Sequence, residues 1–163
     1  MPQRIVIDSL VFVREASSLQ GKLLIADLTR ILDKLVDSTG YISFQVMGRF
    51  SPRNRPQLLL QLHGVLSVCC QRCLEGIDYP LEVSSVLELV DDDEDLTQEE
   101  IEDDSLDFLP AQEELDVVAL IEDEIILDLP SAPRHEMCSL PEMSHGNGYA
   151  SPFSVLKSYK GKA

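Results

Sequence analysis

Tyr41-Ile42-Ser43-Phe44-Gln45-Val46 sets an apolar side chain at every second position, with Ser43 and Gln45 between Ile42, Phe44 and Val46. That period of two belongs to a strand with one buried face, because successive side chains point to opposite sides of a pleated backbone. Ser51-Pro52-Arg53-Asn54-Arg55-Pro56 follows as a turn, and residues 57–68 form a second apolar-rich run. Two such runs about a short turn predict an antiparallel hairpin. Residues 79–90, rich in Val, Leu and Ser, predict a third strand beside one of them. An antiparallel sheet over residues 41–90 is therefore the centre of the expected fold.

Working outward, Arg4-Ile5-Val6-Ile7 predicts a short strand, residues 10–13 continue apolar, and residues 14–18 read equally as a short helix or an irregular turn. Leu28, Ile31, Leu32 and Leu35 recur every three to four positions, which predicts an amphipathic helix over residues 27–36 with Gly40 beyond its end. A second helix is expected over residues 115–129, with Leu115, Val118, Ala119, Glu122, Ile125, Ile126 and Leu129 on one side and Pro130 as its stop. Between the sheet and that helix, residues 91–107 are a like-charge block that cannot pack and reads as a mobile acidic loop. Residues 131–150 read as irregular, and Ser151-Pro152 supplies an N-cap and a first-turn proline for a short C-terminal helix over residues 151–160. The fold class expected is α+β, an antiparallel sheet packed with helices, in one domain spanning residues 1–163.

The chain has 163 residues, 44% hydrophobic and 26% charged, a balance that supports a folded core. No apolar run reaches the length of a membrane span and the N-terminus lacks a signal-peptide pattern, so a cytoplasmic location is expected. The net charge of −16 argues against nucleic acid as a partner, but the charge is uneven. Residues 1–75 hold nine Lys or Arg against six Asp or Glu, whereas residues 74–133 hold no Lys or Arg.

Cys70-Gln71-Arg72-Cys73 has the spacing that lets a tight turn present two thiolates to one zinc ion, and His135-Glu136-Met137-Cys138 offers a second pair. Cys70, Cys73, His135 and Cys138 thus complete a tetrahedral set if the tail folds back. The competing reading leaves Cys70 and Cys73 as reduced cysteines at a strand end and the other two on an unrelated loop. A redox role would place the pair at a helix N-terminus, and Leu74-Glu75-Gly76-Ile77 re-enters a strand instead.

Glu122, Asp123 and Glu124 are consecutive and point in different directions on a helix, so they make no convergent acid–base pair. Glu122 is the exception on an apolar side, which a buried, paired carboxylate or a shifted register would explain. With no phosphate-cradling Gly-rich loop and no nucleophile–His–acid pattern, the chain reads as non-enzymatic. Arg49, Arg53 and Arg55 bracket the hairpin turn and Arg72 lies in the cysteine knuckle, while Lys157, Lys160 and Lys162 mark the C-terminus. They make an RNA-binding footprint if the first four gather at one end of the sheet, and scattered solubilising charges if they do not.

Cys70-Gln71-Arg72-Cys73-Leu74 after a strand, an acidic stretch, Ile121-Glu122-Asp123-Glu124-Ile125-Ile126-Leu127-Asp128-Leu129-Pro130, then His135 and Cys138, then Ser151-Pro152-Phe153-Ser154-Val155-Leu156-Lys157-Ser158 occur in that order. The pattern resembles the bacterial YceD family, the large ribosomal RNA subunit accumulation proteins. The resemblance implies a part in the synthesis, processing or stability of 23S ribosomal RNA, with large-subunit RNA or a pre-ribosomal particle as partner. A basic ribosomal protein, or an RNA-processing enzyme bound through the acidic block, is the alternative partner. Some members carry more cysteines near the C-terminus than the His135 and Cys138 of this chain, so a structural zinc is the cofactor this pattern leaves open.

Overall fold

The computed structural model describes residues 4–91, 96–98, 102, 107–140 and 153. The expected acidic loop and C-terminal helix fall mostly outside these residues. In chain order the elements are β1 (Val6–Ile7), α1 (Ser9–Arg14), β2 (Ser18–Leu24), β3 (Leu35–Asp37), β4 (Tyr41–Phe50), β5 (Pro56–Cys69), β6 (Gly76–Val90), β7 (Asp107–Pro110), β8 (Leu115–Asp116) and α2 (Val117–Asp128).

The antiparallel sheet expected from the alternation is present. β4 pairs with β5 from Ser43↔His63 to Phe50↔Pro56, and β5 pairs with β6 from Gln57↔Glu88 to Cys69↔Gly76. The β4–β5 turn closes through Ser51 N–H to the Arg55 carbonyl at 2.8 Å, with Asn54 in the left-handed region at φ 60. Asparagine enters that region at lower cost than most residues, which suits it to the turn. β2 extends the sheet beyond β4, β3 takes the place beside the last residues of β5, and β7 adds a parallel strand against the end of β6. The parallel edge follows from the chain leaving β6 at Val90 and returning to the same edge at Asp107.

One face of this sheet is the core. Leu58, Leu60, Leu62, Leu66 and Val68 of β5, Ile42, Phe44 and Val46 of β4, and Leu81, Val83, Leu87 and Leu89 of β6 lie on it, all buried. α1 and α2 pack there through Val13 and through Val117, Ile121 and Ile125. Helix α1 approaches so closely that a β-carbon on Gly48 would lie 2.7 Å from the Phe12 carbonyl oxygen and the Val13 Cα. α1 takes in the apolar run at residues 10–13 and ends at Arg14, and of the stretch left open at residues 14–18 residues 15 and 16 form a turn. The helix starts on Asp8, whose carboxylate accepts the Val11 N–H at 2.9 Å.

The helix expected over residues 27–36 is not formed. Residues 25–37 instead make two 3-10 turns, Ile25–Asp27 and Leu32–Lys34, and then β3. Ile25, Leu28 and Ile31 are buried at a spacing of three, and the N–H groups of Leu28, Ile31 and Lys34 donate to the carbonyls three residues back. A three-residue ladder is a 3-10 ladder. The Arg30 N–H, which a continuous α-helix would direct to the carbonyl four residues back, instead donates to Glu122 Oε1 at 2.9 Å and so favours the broken, 3-10 path over a relaxed α-helix. Helix α2 matches its expected range except at the start. Leu115 and Asp116 pair with β1 as a two-stranded ribbon, and Asp116 caps the helix by accepting the N–H groups of Val118 and Ala119.

Candidate metal centre

Residues 70–75 turn the chain from β5 into β6. Cys70 N–H bonds the Glu75 carbonyl at 2.8 Å, Leu74 N–H returns to the Cys70 carbonyl at 2.9 Å, and Leu74 itself has φ 66. This tight knuckle sets both thiols on one side. The segment after α2 comes back over it: the Gln71 N–H donates to the Pro133 carbonyl at 2.8 Å and the Arg72 guanidinium donates to the Cys138 carbonyl at 3.0 Å.

Cys70, Cys73, His135 and Cys138 consequently converge, their donor atoms all within 4.8 Å of one another. Cys70 Sγ lies 3.8 Å from Cys138 Sγ, and Cys73 Sγ lies 3.3 Å from His135 Nδ1. A tetrahedral ion held by thiolates at about 2.3 Å and imidazole at about 2.0 Å would separate two sulfurs by about 3.8 Å and a sulfur and nitrogen by about 3.6 Å. The two closest pairs stand near those separations, so the four residues could hold a metal ion. The histidine is oriented for it as well: its Nε2 faces the Gly76 carbonyl at 3.2 Å. A proton there leaves the Nδ1 lone pair aimed at the sulfurs, the usual arrangement of a ligating imidazole. The tail pair thus lies against the knuckle pair and not on a distant loop. Cys69, adjacent in sequence, stands outside the set, its Sγ 3.7 Å from the Leu74 carbonyl oxygen.

The electrostatics favour a cation. Burial works against ionisation of Cys70, but the N–H groups of Cys73, His135 and Arg72, with the Cys73 thiol, stabilise its thiolate and bring its pKa from 9.0 down to about 5. Burial pushes Cys138 above its ordinary 9.0, and its contacts with Cys70 and Cys73 push it further. One negative sulfur therefore opposes the next, and a divalent ion at the centre would remove that conflict.

The four arginines expected to meet RNA do not form one surface. Arg49, Arg53 and Arg55 stand at the β4–β5 turn, while Arg72 stands in the knuckle at the far end of β5. The 14 residues of that strand are roughly 40 Å of extended chain. Three of the four are engaged in the fold. Arg55 Nη1 lies 3.3 Å from Glu88 Oε1, and Glu88, buried, also accepts from Gln57 Nε2 at 3.1 Å. Gln57 accepts in turn from Arg49 Nε at 3.3 Å. Arg72 holds the tail carbonyl described above. Arg134, which the sequence reading did not single out, is exposed and adjacent to His135 of the converging set.

The acidic run on α2 is structural. Glu122 is buried against the Arg30 backbone, and Asp123 holds the Arg30 guanidinium at 2.6 Å. Glu124 accepts the Ser85 hydroxyl. No helix among the described residues is long and apolar enough to cross a membrane.

No curated protein and no solved structure matches the chain. The sequence profile of the family described as "Large ribosomal RNA subunit accumulation protein YceD" matches residues 58–154. That span holds most of β5, all of β6, β7 and α2, and all four of the converging cysteine and histidine residues. With well over half of its 163 residues matched, the chain belongs to the YceD family of large ribosomal RNA subunit accumulation proteins.

Proposed function

We propose that this chain is a non-enzymatic, cytoplasmic ribosome-biogenesis factor that supports the synthesis, processing or stability of 23S ribosomal RNA, and that Cys70, Cys73, His135 and Cys138 hold a structural zinc ion. The observation that carries the reading is the Cys3His set inside the family-matched segment. Three sulfurs and one nitrogen converging within 4.8 Å suit zinc over calcium or magnesium, which take oxygen ligands. Zinc supplies no reaction here: with four protein ligands the ion has no open position, so it acts as a staple.

A small zinc knuckle is also a recurring way to meet single-stranded RNA. Arg72 and the exposed Arg134 lie at the knuckle, and Arg49 and Arg53 at the opposite turn, so RNA contact divides into two points that can be tested apart. The test is complementation of a strain lacking the gene, reading the ratio of large- to small-subunit ribosomal RNA. Arg49→Glu with Arg53→Glu, or Arg134→Glu alone, is expected to lower the ratio while the purified variants keep wild-type circular dichroism. Zinc is expected at one ion per chain in protein purified without added metal. An unchanged ratio in both variants refutes the RNA contacts, and a metal-free, fully folded protein refutes the zinc.

A further inference from the structure

Strand β6 is paired along nearly all of one side but along little of the other. β5 covers one edge from Gly76 to Glu88, whereas β7 covers the second edge only from Leu87 to Val90. Among the described residues no strand pairs with this edge at residues 81–86. Pro80, which has no N–H to offer, sits where such an edge would begin, a placement natural for a strand position without a neighbour.

Beside the edge runs a groove of about 650 Å³ between β6, β7 and α2. Val83, Leu87, Phe108 and Leu120 contribute its apolar lining, and Leu127 stands at its rim 79% exposed. A leucine so exposed on a helix whose other large apolar residues are buried or half-buried gains nothing from the fold itself. Glu82, Asp107, Asp123, Glu124 and Asp128 complete the lining. Among the described residues Asp123 has a cation partner, Arg30, and that cation comes from outside the segment 74–133, which holds no Lys or Arg. The connection from β6 to β7, residues 91–106, carries ten further acidic residues and is tethered at both ends to this same edge.

We propose that the free edge of β6 and its groove form a docking site for an extended lysine- and arginine-rich segment of a protein partner, added as a strand. Backbone groups at residues 81–86 give such a segment its hydrogen bonds, the apolar floor takes alternate side chains, and the carboxylates take the cationic ones between. Charge selects this occupant. Nucleic acid is repelled, and a second copy of the chain would set Glu82 and its neighbours against their own kind across the new strand pair. The site stands apart from the RNA contacts proposed above: peptide binding is read on purified protein and ribosomal RNA levels are read in cells, so either can fail alone.

The test uses the full chain and a labelled peptide of about ten residues alternating Lys or Arg with Val or Leu, long enough to span the edge. Anisotropy should show binding, and hydrogen exchange should show new protection confined to residues 81–86 and 107–110. Glu82→Gln with Leu127→Ser, both at exposed positions and so compatible with folding, should weaken binding by about tenfold, the combined effect expected of one charge contact and one apolar contact. A peptide N-methylated at alternate residues, unable to pair as a strand, should bind no better than that variant allows. Absence of binding, equal binding by the groove variant, or protection elsewhere overturns the proposal. So does binding lost only on deleting residues 92–104, which marks plain attraction to the acidic connection.

Discussion

Glu122 is the residue whose replacement best separates a structural carboxylate from a functional one. It is 5% exposed and its Oε1 accepts the Arg30 backbone N–H at 2.9 Å. Glu122→Ala deletes a charged acceptor and leaves that N–H without its partner, a loss of about 1.5–3 kcal/mol. The missing methylenes add a cavity in a well-packed region, so roughly 2–4 kcal/mol is expected in all. Glu122→Gln keeps an acceptor oxygen in place and gives up only the charge, for about 1 kcal/mol. The assay is urea unfolding followed by far-UV circular dichroism, with hydrogen exchange at Arg30 as a local readout. In a chain of this size, each kcal/mol lowers the melting temperature by about 2–4 °C, so alanine and glutamine should be clearly resolved. The Arg30 amide should exchange faster in the alanine variant and stay protected in the glutamine one. Equal stability of the alanine variant and the wild type would refute the assignment, and a loss of ribosomal RNA support in a fully stable variant would make Glu122 a functional group instead.

Gly48→Ala forces a methyl group to within 2.7 Å of backbone atoms of α1, and is expected to destabilise by about 1–3 kcal/mol in the same unfolding assay. Arg55→Glu sets a carboxylate beside buried Glu88 and should lower the melting temperature, whereas Arg53→Glu at the exposed turn should leave it unchanged within a degree or so. Removing the metal with a chelator should open the bond after Arg134 to trypsin while β4, β5 and β6 stay resistant. Acid should act alike, since protons compete with the metal for the thiolates; without metal, the Cys70 thiolate, favoured in the native state, stabilises fully above 9.0, contributes less as pH falls, and is lost through about 5.

The sheet was legible because its evidence is local and repeated: Ile42, Phe44 and Val46 alternate without a break, and the turn residues lie between two such runs. The segment at residues 27–36 misled because Leu28, Ile31, Leu32 and Leu35 satisfy helical spacing, while the fact that decides it lies 92 residues away in sequence, at Glu122. A period of three and a period of 3.6 differ little over so short a stretch. The candidate metal ligands were legible as two pairs of matching spacing, but their meeting depends on how residues 131–138 fold back, which spacing does not encode. The arginines show the opposite failure. Arg55 and Arg72 look alike as charges in sequence, yet one end of a 14-residue strand separates them from the other, and each is already committed to a neighbour in the fold.

The return of residues 131–140 to the knuckle also has to be accounted for energetically. None of these ten residues is buried and none lies in a helix or strand. Fixing their backbone costs roughly 10–20 kcal/mol at 1–2 kcal/mol per residue. The backbone bond from Gln71 to Pro133, the Arg72 contact with Cys138 and the His135 contact with Gly76 together return only about 3 kcal/mol net. A structural zinc ion contributes about 10–16 kcal/mol, which is the size of the gap. Apolar burial holds the sheet with or without metal, so the energy of a bound ion would go into the tail. On that accounting a metal ion at the Cys3His set would not build the fold; it would decide whether the segment carrying Arg134 is held against the end of the β5–β6 hairpin or released from it.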